Sequence, residues 1–321
     1  MSEPRVVTAV VLNYNGCELL ETILPSLSAQ TYGSMEILVV DNGSRDDSLN
    51  YLAKHWPAVR VVAIPDNVGV AAALNRGVAA AGGEYVALLN NDIELDQKWL
   101  AELVAALERH PEAGSVACKL RNYYRRDELD GAGDVFTRGG AGTKRGHGEH
   151  DRGQYERDEE VLAPTGGAGL YRARALAEVG PFDESFYAYF EDVDWGLRAI
   201  RAGYDSWYVP TAVGYHMEGR TTGGTRSPTY QALQWCNTIG VLVKNVPARW
   251  VLLNAQWILR HQLGGLLAST RSGMLVSHLR GLAQSLPALP GWLRERRRIR
   301  SVARLSDREF ERAIAAGRRD S

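Results

Sequence analysis

The 321-residue chain has only three cysteines, Cys17, Cys118 and Cys236. They are far apart, odd in number and lack metal-ligand spacing. A disulfide framework and a cysteine zinc site are therefore excluded, and a reducing compartment is expected. No charge of one sign dominates: 37 Lys and Arg stand against 38 Asp and Glu. The basic excess of a nucleic-acid binder is missing. No apolar run reaches the length of a spanning helix. The best candidate, 250–268, is broken by Asn254, Gln256, Arg260, His261 and Gln262. The apolar run Val6–Leu12 is too short and too early for a cleaved signal peptide. Two nucleotide fingerprints are also missing. No Gly-x-Gly-x-x-Gly follows the first apolar run, and no glycine-rich loop ends in Gly-Lys-Ser/Thr. Dehydrogenase and P-loop readings fall with them.

What is present reads as an α/β protein. Short apolar runs at Val6–Leu12, Met35–Val40, Val59–Ile64 and Tyr85–Leu89 predict strands. Amphipathic segments at Glu18–Ala29, Asp46–His55, Val70–Ala81 and Gln97–Arg109 predict helices between and after them. This alternation implies βαβ units and a mostly parallel sheet. Polar residues follow each strand: Asn13-Tyr-Asn15, Asp41-Asn-Gly-Ser44, Asp66-Asn-Val-Gly69 and Asn90-Asn-Asp92. One such turn is ordinary turn chemistry. Four on one sheet edge mark a ligand site, because open α/β sheets bind ligands beyond the strands' carboxyl ends.

The densest chemistry lies in Tyr189-Phe-Glu-Asp-Val-Asp-Trp195, with carboxylates at Glu191, Asp192 and Asp194 at the start of a helical pattern. Acids suit a helix N-terminus, but capping needs one or two of them. A cluster framed by aromatic rings can shift a carboxylate's pKa toward general-base use. Gly166-Gly-Ala-Gly169 is expected to admit close backbone approach to a ligand. Residues 131–158 are expected to form a long loop or flap over the site, and His147 and His150 within it lack companion ligands. From Pro228 on, Tyr230–Lys244, Trp250–Thr270 and Met274–Leu286 predict apolar-rich helices. Six arginines between 294 and 304, against Glu295 alone, fit either a solvated face or an anchor to anionic lipid.

The ordered set Val10-Val-Leu-Asn-Tyr-Asn-Gly16, Val39-Val-Asp-Asn-Gly-Ser44, Asn67-Val-Gly69, Leu88-Leu-Asn-Asn-Asp92, Gly166–Gly169, Tyr189–Trp195 and Tyr215-His216 resembles the inverting family-2 glycosyltransferases of GT-A fold, over about residues 5–220. The Asn-Asn-Asp and Phe-Glu-Asp-Val-Asp forms look most like bacterial rhamnosyltransferase-type members, which build surface polysaccharides and glycolipids. The resemblance implies a GT-A catalytic domain over 1–225 and a C-terminal helical region over 226–321.

It also implies roles. Asp192 would be the general base, with Glu191 its rival and Asp194 orienting or capping. Asp41 would bind the base of the nucleotide, and Asn13, Asn15, Asn67, Asn75 and Asn91 would line the nucleotide site. Asp92, at the end of the family's Asp-x-Asp position, and His216 would hold Mg²⁺ or Mn²⁺. The first position of that motif is Asn90, so fewer carboxylates are on offer than in the commonest form. The implied activity transfers rhamnose or a related deoxysugar from a nucleoside diphosphate to a saccharide or lipid-linked hydroxyl. Rival readings are a UDP- or GDP-hexose donor, an inactive sugar-nucleotide-binding scaffold, and a sugar nucleotidyltransferase. The last would need a Gly- and Arg-rich loop where Asn13-Tyr-Asn-Gly16 stands. A cytoplasmic protein is expected, at the inner face of the membrane if the C-terminal region touches lipid, with homo-oligomerisation left open.

Overall fold

The computed structural model describes residues 6–165, 167–218 and 227–316. The first half follows the expected alternation: β1 (Val7–Asn13), α1 (Cys17–Ser28), β2 (Met35–Asn42), α2 (Ser48–His55), β3 (Arg60–Ile64), α3 (Val70–Ala80), β4 (Tyr85–Asn90), β5 (Ile93–Leu95) and α4 (Trp99–Arg109). Then come β6 (Ala113–Asn122), β7 (Leu129–Gly131), β8 (Asp134–Phe136), β9 (Gly142–Lys144), β10 (Glu159–Val161), β11 (Ala168–Arg172), α5 (Ala173–Val179), α6 (Glu191–Arg201) and β12 (Asp205–His216). Five helices close the chain: α7 (Pro228–Asn245), α8 (Ala248–Leu253), α9 (Ala255–Arg271), α10 (Leu275–Ser301) and α11 (Asp307–Ala316).

The main sheet runs β10-β12-β6-β11-β4-β1-β2-β3. Strands β3, β2, β1 and β4 are mutually parallel, and β11 enters antiparallel between β4 and β6. Every residue of β1 is buried, as expected of a strand covered on both faces. Helix α4 buries Trp99, Leu100, Leu103, Val104 and Leu107, a stripe of helical period that covers one of those faces. Register then fixes the site edge. Asn13 pairs with Asp41, and Leu12 with Asn90, so three strand ends finish at one level. On the other side of β4, β5 pairs antiparallel with β12 and sets His216 opposite Ile93, one residue from Asp92.

Three expectations need correction. Residues 131–158 are not a structureless flap: β8 and β9 form a hairpin there. The segment is pinned, since buried Lys119 pairs with Asp151 and Glu156, and Arg121 reaches Asp151 at 2.5 Å. The expected helix at 250–270 is two helices that change over at Asn254. The expected helix ending at Leu286 runs through Pro287 and Pro290 to Ser301. Proline opposes helix locally, but Trp292 packs on Gly240 of α7 and Ile299 is buried too, so tertiary packing overrides it.

The arginine block is largely spent within the protein. Arg296 donates to the Val243 carbonyl at 2.7 Å. Arg298 pairs with Glu295, Arg300 with Asp307 and Arg304 with Glu178. Helix α11, absent from the sequence expectations, joins one apolar cluster with α6, α7 and α8 through Phe310 and Ile314. The Arg201 guanidinium lies 3.9 Å over the Phe310 ring and pairs with Asp307.

Phe310→Ala should therefore lower unfolding stability of the whole protein by about 3–5 kcal/mol, the usual cost of a buried Phe-to-Ala cavity. Denaturant melts followed at Trp99, buried at the start of α4, would check this. An unchanged midpoint there would mean that α11 is not part of the cooperative unit.

Candidate active site

A buried amide–carboxylate network joins the strand ends. Asn13 Nδ2 donates to Asp41 Oδ2 at 3.0 Å, and Asn13 Oδ1 accepts from Asn91 Nδ2 at 2.7 Å. Asp41 Oδ1 accepts from the Ser44 amide at 2.9 Å. A Cβ on Gly16 would fall 2.1 Å from Asn91 Nδ2, so only glycine leaves room for that amide. Asn15, at φ 47°, accepts from the Arg45 amide at 2.7 Å. Asn67 accepts from Asn42, from the Gly69 amide and from the Tyr187 hydroxyl. Five of the six expected nucleotide-site residues thus lie along this edge. Asn75 does not: its amide is exchanged with the backbone of Phe182 at 2.9 Å in both directions, clamping α3 to the segment before α6. Asn42 and Ser44, which the sequence reading placed at this strand end without a role, knit the edge together.

Beside this network, His216 bridges two carboxylates. Its Nδ1 lies 2.9 Å from Asp130 Oδ2 and its Nε2 lies 3.3 Å from Asp92 Oδ1. Burial opposes a charged ring, but the hydrogen bond to Asp130 and the charges of Asp92 and Asp130 outweigh it and lift the pKa to about 9. Asp130 is held well below the usual carboxylate range: burial is overcome by hydrogen bonds from His147 and His216 and by the Lys144 charge. Lys144 Nζ sits 2.8 Å from Asp130. Asp92 Oδ1 is buried with no hydrogen-bond partner. An unpartnered carboxylate oxygen facing an imidazole nitrogen, with the other ring nitrogen anchored on a carboxylate, suits a divalent cation. Among the described residues, ligand atoms of Asp130, His216 and Glu218 also lie within 4.8 Å of one another. Asp130 is already engaged by Lys144 and His216, which makes it an orienting partner. No motif in the sequence pointed to it.

The acidic segment enters α6 through strained backbone. Tyr187, Tyr189 and Phe190 have φ of 61°, 69° and 68°. Non-glycine residues seldom occupy this region, and each costs about 1–2 kcal/mol. Helix α7 holds the turn. Asn237 Nδ2 reaches the carbonyls of Phe186, Ala188 and Tyr189 at 3.0, 2.9 and 2.8 Å. The loop before α3 is tied in too, because the Val70 amide donates to Tyr187 O at 2.6 Å.

The carboxylates of α6 divide into two kinds. Asp194 is buried between Lys244 at 2.8 Å, Arg198 at 2.9 Å and Asn245 at 2.8 Å. Burial raises its pKa, but the Lys244 and Arg198 charges hold it at about 2. It is structural. Glu191 is buried, with Oε2 unpartnered, and burial plus the charge of Asp192 push it up to about 8. Asp134, on β8, is pushed well up by burial and again by Asp192. Asp192 is the half-buried member of the three, and its Oδ1 accepts the Val193 amide at 2.8 Å. Burial and the charge of Asp192 thus push both neighbours upward, and Asp192 is the most exposed carboxyl of the three. Asp134 was not expected, since it lies more than fifty positions away in sequence.

The described glycines of the 166–169 strip lie close to other side chains. Gly166 lies outside the described residues. A Cβ on Gly167 would strike the Asn90 side chain, and one on Gly169 would strike Pro164. These glycines accommodate the protein's own side chains.

Glu191 keeps in the folded state a proton that the unfolded chain releases near pH 4.5. Stability should fall as pH rises from there to about 8, since the folded state binds more protons over that window. Glu191→Gln, which mimics the protonated acid, should raise Tm relative to wild type at pH 8 and leave it nearly unchanged at pH 4.5. Parallel Tm–pH curves for the two proteins would show that Glu191 is ionised in the fold.

Comparison with known proteins identifies the family and the fold. The chain is 28% identical over 285 residues to the N-acetylglucosaminyl-diphospho-decaprenol L-rhamnosyltransferase of Mycobacterium tuberculosis, covering 80% of this chain and 90% of that one. The fold is similar to that of a mannosyltransferase from Pyrobaculum calidifontis solved with GDP-mannose and Mn²⁺, at TM-score 0.57 and 18% identity, over 94% of this chain and 86% of that one. It is also similar to GalNAc-T7 solved with UDP, GalNAc and Mn²⁺, at TM-score 0.62 and 18% identity, over 76% of this chain and 48% of that one. The model of "Glycosyl transferase family 2" matches residues 8–180, more than half of the chain. With a GT-A-type sheet, an Asp92–His216 pair and an acidic helix start on one edge, the chain belongs to glycosyl transferase family 2.

Proposed function

We propose that this glycosyltransferase moves rhamnose or a related deoxysugar, with inversion, from a nucleoside diphosphate to a hydroxyl of a saccharide or lipid-linked acceptor. One observation carries the mechanism: Asp192 is the half-buried member of a trio whose other two carboxyls are pushed up by burial and by its charge. Asp192 accepts the proton of the acceptor hydroxyl. The freed oxygen attacks the anomeric carbon, the bond from that carbon to the phosphate oxygen breaks, and the electron pair leaves with the nucleoside diphosphate. Glu191 and Asp134, uncharged, line a less hydrated wall beside Asp192 and do not compete for the proton.

The strand-end edge formed by Asn13, Asn15, Asp41, Asn67 and Asn91 is the nucleotide side. Asn13 and Asp41 are buried and build the edge; Asn15 and Asn67 stand at its surface. Asp92 and His216 would hold Mg²⁺ or Mn²⁺, with Asp130 fixing the imidazole. Such an ion supplies neutralising charge for the leaving diphosphate. The deoxysugar and the lipid-linked acceptor are supported by the mycobacterial relative. A UDP- or GDP-hexose is the second reading, since the similar solved structures hold those nucleotides. A lipid-linked acceptor places the work at a membrane surface, with contact through the C-terminal helices.

Two measurements test this reading. Asp192→Asn should retain donor binding and lose about 10²–10⁴-fold in kcat, as an amide cannot take a proton. Glu191→Gln should lose far less, and the reverse order would transfer the role to Glu191. Asp92→Ala should abolish the metal dependence of nucleotide-sugar binding in calorimetry, run against thymidine, uridine and guanosine diphosphate sugars. Unchanged metal-dependent binding would remove Asp92 and His216 from the site.

A further inference from the structure

Helices normally bury their leucines and expose their polar residues. Helices α9 and α10 do the opposite. The inner face of α9 carries small and polar groups beside Ile258 and Leu266. Gly265 lies against the Trp235 ring of α7, where a Cβ would come within 1.9 Å, and Ser269 is hydrogen-bonded to His278 at 3.0 Å. On α10 the buried positions are His278, Gly281, Ser285, Trp292 and Ile299. The leucines stand outside. Leu259, Leu263 and Leu267 form an i, i+4, i+8 stripe on α9. Val276, Leu279, Leu286, Leu289 and Leu293 repeat on α10 with steps of three, seven, three and four. Exposure reaches 57% at Leu263, 71% at Leu286, 80% at Val276 and, on α8, 76% at Leu252. Exposed apolar surface on this scale marks an interaction site.

The charge pattern says what covers it. From Gly219 to Arg294 the sequence has no Asp or Glu over 76 positions, while Arg260, Arg271 and Arg280 punctuate α9 and α10, and Arg249 of α8 pairs with Glu311. A protein partner would not require so long a stretch free of acids; an anionic headgroup layer does. None of the described helices is long and apolar enough to cross a membrane. Amphipathic helices with arginine beside leucine lie in the interface plane instead.

We propose that α8, α9 and α10 together form a docking surface for an anionic lipid bilayer. Leucines enter the acyl boundary and the arginines of the same helices meet the headgroups. The arginine block at 294–304, mostly paired within the protein, is not the principal contact. The inference deepens the lipid-linked-acceptor reading and rests on it for its purpose, not for its evidence. The surface is one helix removed from the acidic segment: α7 presents Trp235 to α9 and Asn237 to the strained turn.

The test is cosedimentation of the full chain with phosphatidylcholine vesicles, with and without phosphatidylglycerol, in the absence of donor and acceptor. Wild type should partition onto the phosphatidylglycerol vesicles, less so as salt rises, with a blue shift of tryptophan emission from Trp257. Leu263→Glu combined with Leu286→Glu should reduce partitioning about tenfold or more with an unchanged Tm. Wild type that neither sediments nor shifts overturns the proposal, as does a folded double variant that binds equally. A wild-type dimer in analytical ultracentrifugation that the same variant dissociates, without lipid binding, would assign the surface to a second copy. If the double variant fails to fold, Arg260→Gln combined with Arg271→Gln and Arg280→Gln must still weaken the phosphatidylglycerol dependence, and an unaltered dependence overturns the proposal. Because no sugar is transferred in this assay, vesicle binding by a protein inactive as a rhamnosyltransferase would retain the surface and dismiss only the donor assignment.

Discussion

Three aromatic residues in left-handed backbone conformation cannot hold themselves there, and the placement of the acidic helix start depends on their being held. Tyr187, Tyr189 and Phe190 turn the chain so that α6 begins with Glu191 and Asp192 facing Asp134. The restraint comes from α7. Asn237 gathers three carbonyls of the turn, and Lys244 ties Asp183 on one side of it to Asp194 on the other. A buried Lys–Asp–Arg knot contributes little net stability against the same volume of apolar packing. Its consequence here is geometric: the first turn of α6 has one position.

That geometry sets the electrostatics. Two carboxyls are pressed together with a third in a region poor in water, and they remain protonated because ionising all three is too costly. Across the same edge the balance is reversed. His216 lies between Asp92 and Asp130 and is held strongly basic, with Lys144 adding positive charge behind it. The proposed proton acceptor, Asp192, and the proposed metal-holding pair, Asp92 and His216, thus stand at one sheet edge with different local charge.

The C-terminal helices serve both sides of this arrangement. Their inner face restrains the turn through α7 and shares a core with α6 and α11. Their outer face carries leucines and arginines that the protein itself does not cover. The prolines inside α10 and the break at Asn254 leave the helices discontinuous in pattern, which is why the sequence reading ended one helix early and merged two others. Packing of Trp292 on Gly240 outweighs the local preference of Pro287 and Pro290.

The alternation of strands and helices up to Arg109, the polar strand ends, and the acids at 191, 192 and 194 were legible in the sequence, because period and turn chemistry are local properties of consecutive residues. The pairing of Asp92 with His216 was legible only through resemblance, as 124 positions separate them. Asp130 and Asp134 were not legible. Asp134 sits in, and Asp130 just before, the segment whose composition reads as a loop, and its hairpin and ion pairs form only when β7 joins β6 and β8 approaches α6. The sequence likewise placed Asn75 among the nucleotide residues, whereas packing of α3 on the Phe182 segment consumes its amide. What consecutive residues determine is which side chains stand at strand ends and helix starts. Which of those carboxyls keep a proton, which meet a histidine and which are locked into ion pairs depends on burial and on neighbours from distant positions, and only the tertiary structure decides that.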